Sequence, residues 1–154
     1  MKSIWNQTCQ IPRRNPLQGN LDTEIAIIGG GLVGILTAFY LGKKGRQAVV
    51  LEASKIGSGQ TEGTTAKITS QHNLIYQKLL TDHGVTAMNL YARSNQQAIQ
   101  EYERLIKEHS ISCCFEKKPA FLYTMEQPDA IHLEAMAARK AGIPASEVTD
   151  TELP

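Results

Sequence analysis

Apolar and polar positions near the N-terminus follow a pattern that predicts a strand, a helix and a second strand. Residues 24–28 include a short run of mostly β-branched residues, which is typical of a strand buried on both faces. Residues 31–44 then carry apolar side chains at helical spacing, and the apolar run within 47–52 predicts another strand. A strand, a helix and a parallel strand in this order form a βαβ unit.

Beyond residue 72 the periodicity changes to that of amphipathic helices. Apolar residues recur at intervals of three and four, and Gly84 interrupts them once. Gly142 and Pro144 end the last helical stretch. The predicted elements are, in order, helices at 74–82 and 85–109, strands at 112–117 and 120–124, and a helix at 128–141.

Two segments lack any regular period. Residues 1–22 contain several prolines and glycines and predict an N-terminal arm, with Trp5 and Leu17 holding it to the body. Residues 53–72 form a long Gly-, Ser- and Thr-rich stretch, and loops of this length are usually functional or disordered. The pattern as a whole predicts an α/β fold: a Rossmann-type βαβ core with inserted helices and a small strand pair.

The junction of the first strand and helix reads G-x-G-x-x-G. Gly29 permits a sharp turn, Gly31 leaves room for a pyrophosphate to approach the backbone, and Gly34 lets the helix pack on the sheet. The N-terminus of the helix favours phosphate. Glu52 ends the second strand, where a carboxylate can accept hydrogen bonds from a ribose. Glycines that serve packing alone are the alternative, but the strand, the helix and the acid together favour dinucleotide binding.

Composition narrows the class of protein further. The 154 residues suggest a single domain. A net charge of +1 gives no field that would attract nucleic acid or an anionic membrane. No apolar run has membrane-spanning length and no signal peptide is recognisable, so we expect a cytoplasmic protein without a membrane span. Neighbouring cysteines would point to opposite faces of a strand, so we expect no disulfide between them. Neither the cysteines nor the histidines have the spacing of metal ligands: Cys9, Cys113, Cys114, His72, His83, His109 and His132.

The βαβ unit and the segment G-T-T-A-K-I-T-S-Q-H, residues 63–72, together resemble FAD-dependent oxidoreductases of the D-amino-acid oxidase and glycine oxidase superfamily. The loop is similar to that of a bacterial subgroup whose members often end in a Rieske iron–sulfur domain. This resemblance covers nearly the whole chain. It implies FAD as cofactor and an amine or amino-acid-like small molecule as substrate. Members of the superfamily are more than twice as long, so we expect residues 23–154 to be the truncated N-terminal part of a FAD-binding domain.

The resemblance also implies which residues contact the cofactor. The glycine turn would hold the pyrophosphate, the end of the second strand would contact the adenosine ribose, and the loop would follow the pyrophosphate, ribityl and flavin. Lys67 would neutralise phosphate charge or form a surface ion pair. No catalytic acid or base and no metal ligand is predicted. The implied contacts are Gly29, Gly31, Leu32, Val33, Gly34, Glu52, Ala53, Ser58, Gly59, Thr64, Thr65, Ala66 and Lys67.

Three functions remain open at this point. The first is the FAD-binding part of an oxidoreductase. The second is a non-catalytic fragment that folds and associates without FAD, because uncovered apolar patches would favour a homo-oligomer. The third is an NAD-dependent dehydrogenase domain, since the glycine fingerprint alone does not distinguish the two dinucleotides.

Overall fold

The computed structural model describes residues 3–150, and the chain divides into two compact units, Met1–Lys67 and Ile68–Pro154. The first unit holds two short strands and two helices, and the second is helical. The elements are α1 (Ile4–Thr8), β1 (Ala26–Ile28), α2 (Leu32–Lys43), β2 (Val49–Leu51), α3 (Ile75–Glu108) and α4 (Pro128–Lys140).

The predicted βαβ unit is present in the first unit. Strands β1 and β2 pair in parallel, with Ala26 opposite Val49 and Ile28 opposite Leu51, and α2 connects them. Gly45 ends the connection from α2 with a φ of +71°, the left-handed conformation that glycine adopts without strain. The described residues contain this two-stranded sheet and no wider one, so a complete Rossmann sheet is not seen.

The prediction that β1 is buried on both faces is wrong for the described structure. Ile28 is 80% exposed, and Ala26 is exposed as well. Ile27 points the other way and is half-buried beneath Gly34 of α2. The helix α2 covers one face of the two-stranded sheet, and Ala26 and Ile28 are exposed on the opposite face.

The second unit is built on α3 and α4. The two predicted helices at 74–82 and 85–109 are both found, and they meet at Gly84, whose φ of 79° and ψ of 175° break the helical path within α3. The core where α3 and α4 meet contains the fully buried side chains of Tyr76 and Met88. Small residues of both helices complete it: Ala92, Ala137 and Ala138.

The predicted strand pair at 112–117 and 120–124 is wrong, because neither range forms a strand. Cys114 has a φ of 52°, which interrupts an extended chain, and Pro119 lacks the N–H that a ladder requires. An ion pair between Lys117 and Glu103 joins this segment to α3 instead. Cys113 and Cys114 therefore do not lie on opposite faces of a strand. Both thiols are free and exposed.

The N-terminal arm differs from its prediction in one place. The short helix α1 begins after Ser3, whose hydroxyl accepts a hydrogen bond from the N–H of Trp5. The rest of the arm, up to β1, has no regular structure, as its prolines and glycines predict. Within residues 3–150, no helix combines the length and the hydropathy that crossing a bilayer would require.

Candidate functional site

The glycine turn between β1 and α2 is shaped by what lies next to each glycine. Gly29 has a φ of +101°, and a Cβ there would meet nothing within 4 Å. A Cβ on Gly34 would lie 2.0 Å from the carbonyl oxygen of Gly29, so only glycine permits this approach of α2 to the turn. A Cβ on Gly31 would come within 3.0 Å of the Thr61 hydroxyl. The turn therefore leaves open space at its first glycine and close backbone packing at its last.

The carboxylate of Glu52 lies directly against this turn. Its Oε2 accepts a hydrogen bond from the N–H of Gly30 at 2.7 Å, and its Oε1 accepts one from the N–H of Ser54 at 2.8 Å. The hydrogen bond from Gly30, followed by that from Ser54, lowers the pKa of Glu52, so the side chain is ionised at neutral pH. Each carboxylate oxygen keeps a further lone pair with which it can accept from a hydroxyl group.

The loop that follows β2 folds back onto the turn. The N–H of Gly57 donates to the carbonyl oxygen of Gly30 at 2.8 Å. The hydroxyl of Thr61 accepts the N–H of Leu32, the first residue of α2, at 3.0 Å. Ser58 stabilises a local turn of the loop by donating to the carbonyl oxygen of Lys55. The loop thus contacts both the turn and the start of the helix.

Sequence reasoning missed Thr61. A helix is ordinarily capped by the Ser, Thr, Asp or Asn that immediately precedes it. Gly31 occupies that position here and has no side chain to cap with, so the hydroxyl of Thr61, 29 residues beyond Leu32, takes the role. Only the path of the loop brings the two together. The one signal in the sequence was the richness of the loop in hydroxyl side chains.

The structure brings together some of the predicted contact residues and separates others. Gly29, Gly31, Leu32, Gly34 and Glu52 meet at the turn. Ala53 follows Glu52, and its backbone N–H makes the smallest of the contributions that lower the pKa of that carboxylate. The side chain of Val33 is 79% exposed, Gly59 has open space around it, and Ser58 bonds within the loop. The last four residues lie further along the loop, are exposed and have no hydrogen bond to the turn within the described range: Thr64, Thr65, Ala66 and Lys67.

A dinucleotide fits the groups found at the turn. The open space at Gly29 allows a ligand to approach the backbone, and the positive end of the α2 dipole favours phosphate. Glu52, which directly follows β2, provides an ionised acceptor for ribose hydroxyls. A metal ion has no comparable support, because residues 3–150 contain no group of three His, Cys, Asp or Glu side chains placed to hold one.

His72, at the end of the loop sequence, belongs to the second unit. Its Nδ1 is hydrogen-bonded to the hydroxyl of Tyr91, and the two rings meet edge to face. Burial raises the pKa of Tyr91 above its usual value, so the phenol stays protonated at neutral pH. His72 therefore has a local structural partner, Tyr91, on α3.

Comparison with known proteins matches this chain to a family. The model of the DAO family, described as FAD-dependent oxidoreductases, matches residues 24–154, which is more than half of the chain. The match includes the glycine turn, Glu52 and the loop. No solved structure matches significantly.

Two curated relatives are similar over different shares of the chain. The "Putative Rieske 2Fe-2S iron-sulfur protein YhfW" of Bacillus subtilis is 35% identical over 99% of this chain and 30% of its own length. The gamma-glutamylputrescine oxidoreductase of Escherichia coli is 23% identical over 63% of this chain and 23% of its own length. The chain thus spans less than a third of the length of either relative.

Proposed function

The chain belongs to the DAO family of FAD-dependent oxidoreductases, and from this premise we propose that its glycine turn, Glu52 and loop bind FAD as part of an oxidoreductase. FAD is the cofactor that this family implies. The observation that carries the proposal is the Glu52 carboxylate, held 2.7 Å from the N–H of Gly30 in the middle of the turn. This hydrogen bond holds a charged acceptor next to the glycine turn, within reach of a ligand that binds to the backbone of the turn.

Each part of the site has a separate task in this proposal. The backbone at Gly29 and Gly31 and the positive end of the α2 dipole receive the pyrophosphate. The N–H groups of Gly29, Gly30 and Leu32 donate within the protein, to Leu51, Glu52 and Thr61. Glu52 accepts hydrogen bonds from the adenosine ribose, and Ala53 lies beside it. The loop from Ser58 to Lys67 covers the remainder of the cofactor: Ser58, Gly59, Thr64, Thr65, Ala66 and Lys67.

The charge of Glu52 also restricts which dinucleotide can bind. The N–H groups of Gly30 and Ser54 orient the carboxylate and, together with a smaller effect from Ala53, lower its pKa, so it carries a negative charge at neutral pH. Such a group accepts from free ribose hydroxyls and repels a phosphate at the same place. FAD, with an unphosphorylated adenosine ribose, suits this site, whereas a dinucleotide with a 2′-phosphate does not.

We further propose that the substrate is an amine or an amino-acid-like compound. The support is the name of one relative, a gamma-glutamylputrescine oxidoreductase, together with family membership. When bound, the flavin supplies the redox chemistry by accepting a hydride equivalent from the carbon next to the amine. The chain's own contribution is to bind and orient the cofactor, because no described residue is placed as a catalytic acid or base.

The proposal is tested by the absorbance spectrum of the purified chain after incubation with FAD and removal of free cofactor. Flavin bands close to one per chain are expected. A thermal-shift titration with FAD and with NADH runs beside it, and only FAD should raise the midpoint, because ligand binding to the folded state stabilises that state. Protection by NADH alone would instead support a dehydrogenase domain. A colourless chain with no shift from either ligand would support a folded chain that does not bind a dinucleotide.

A further inference from the structure

The N-terminal arm contacts the proposed cofactor loop at three separate places. The indole Nε1 of Trp5 donates to the carbonyl oxygen of Thr64 at 3.1 Å. The hydroxyl of Ser3 donates to the carbonyl oxygen of Glu62, 59 residues along the chain. The side chain of Ile11 lies over Gly57, where an added Cβ would meet Ile11 Cδ1 at 3.1 Å. The arm therefore spans the loop from Gly57 to Thr64.

These contacts hold a stretch that has little structure of its own. The loop contains no helix or strand, and its glycines at 57 and 59 take positive φ values of 77° and 65°. Three backbone hydrogen bonds within the loop close local turns, from the N–H of one residue to the carbonyl oxygen of another: Ser58 to Lys55, Gly63 to Gln60 and Thr64 to Thr61. Two bonds tie the loop to the turn and α2, through Gly57 and Thr61. Within the described part of the chain, two side chains of the arm bond to the backbone of this stretch: Ser3 at Glu62 and Trp5 at Thr64.

From this geometry we infer that Ser3 and Trp5 are positioning residues for FAD: they hold the loop in the conformation that receives the cofactor. The inference rests on the proposed function and adds a role for the arm. Ordering a flexible backbone costs conformational entropy, and a loop already held in place avoids part of that cost on binding. Neither residue touches the cofactor in this account, since both act through the carbonyl groups of Glu62 and Thr64.

The test uses Trp5→Phe and Ser3→Ala in the chain, with Thr8→Ala as the matched control. Thr8 lies on the same short helix, and its hydroxyl donates to Ile4 within that helix. Phe keeps most of the ring and removes the N–H donor. Because a single hydrogen bond contributes modestly, we expect each arm variant to raise the Kd for FAD about threefold and the double variant about tenfold. Thr8→Ala should bind FAD like the wild type.

A second measurement needs no cofactor. Trypsin can cut the loop after Lys55 and after Lys67, both of which are exposed. In the absence of FAD, Trp5→Phe and Ser3→Ala should be cut there several times faster than the wild type and Thr8→Ala, because cleavage follows the population of the released loop.

A third measurement uses the fluorescence of the wild type. Trp5 is the single tryptophan of the chain, so quenching of its fluorescence during an FAD titration reports on the place where the arm meets the loop. The Kd obtained from this quenching should equal the Kd obtained from the flavin signal. Faster cleavage of the loop together with weaker FAD binding in the arm variants supports the inference. Unchanged cleavage, or faster cleavage with an unchanged Kd, overturns it. If the wild type takes up no FAD, the proposed function fails, and with it the role of the arm as a cofactor-positioning element.

Discussion

Each glycine of the turn has a different neighbour, and that neighbour decides what a side chain would do there. At Gly34 the neighbour is the carbonyl oxygen of Gly29, a backbone atom that cannot rotate out of the way. At Gly31 it is the hydroxyl of Thr61, the end of a side chain that can move. Gly34 is thus required for folding with or without a ligand, whereas Gly31 tolerates change more easily.

Gly34→Ala tests this difference at the level of one methyl group. The added Cβ would lie 2.0 Å from Gly29 O, so we expect the free energy of unfolding of the first unit to fall by about 3 kcal/mol. Gly42→Ala in the same helix is the control, because a Cβ there meets nothing within 4 Å. It should stabilise the chain by about 0.5–1 kcal/mol. Urea unfolding followed by circular dichroism measures both, and equal effects would contradict the assigned contact.

Some contacts of the site could be predicted from the sequence and others could not, because they arise in different ways. The βαβ geometry brings Gly29, Gly34 and Glu52 together at fixed offsets, so their approach was predictable from spacing. Their contacts with FAD stay a prediction. The position of the capping hydroxyl of Thr61 depends on the path of a long irregular loop, whose sequence has no periodicity from which that path could be predicted. The hydrogen bonds of Ser3 and Trp5 depend on that same course, although tryptophan was expected to hold the arm.

At the scale of the elements, periodicity succeeded where one face of a helix is buried. The spacing predicts helices with an apolar face, and α3 and α4 meet in a core that contains Met88, Ala92 and Ala137 from the predicted stripes and Tyr76 from outside them. It failed at 112–124, because alternating residues do not make a strand without a partner to complete the ladder. Within the described residues that segment has an ion pair to Glu103 in place of backbone pairing.

The start of α3 is held by a residue of α4. Glu134 is only 3% exposed, and its carboxylate accepts the N–H groups of Tyr76 and Gln77 and the side-chain amide of Gln71. Leu74, at the N-cap position, makes no side-chain cap. A carboxylate at a helix N-terminus also interacts favourably with the helix dipole. The contact therefore joins the two helices as well as capping one of them.

Glu134→Ala should lower the free energy of unfolding of the second unit by about 3 kcal/mol, because it leaves donors near the core without an acceptor. Met136→Ala, an exposed change on the same helix, should stay within about 0.5 kcal/mol of the wild type. Urea unfolding of both variants gives the comparison. A Glu134→Ala variant as stable as Met136→Ala would show that the cap contributes nothing.

For the whole molecule, the main feature is apolar surface around the βαβ unit. Ile28 of β1 is 80% exposed and Val33 of α2 is 79% exposed. Exposed apolar patches favour association with another surface. The matched regions are 30% and 23% of the lengths of the two relatives, and in a solution of this chain a second copy can cover the patch.

We therefore expect the chain to associate with itself, and Ile28→Thr to weaken that association several-fold. Threonine keeps the β-branch that suits a strand and removes apolar surface from the exposed face. Sedimentation velocity over a range of concentrations measures the association of both proteins. A wild type that stays monomeric throughout, or a variant that associates as strongly, would contradict the expectation.

The central claim is that the glycine turn and Glu52 bind FAD, and an equilibrium titration of FAD with Glu52→Gln tests it most directly. Glu24→Gln serves as the control, since Glu24 pairs with Arg46 at the far end of β1. We expect one FAD per wild-type chain, an unchanged Kd for Glu24→Gln, and a Kd raised about tenfold or more for Glu52→Gln, because hydrogen bonds to a charged acceptor are worth about 1.5–3 kcal/mol. No saturable FAD binding by the wild type, or equal affinity in Glu52→Gln, would contradict the claim.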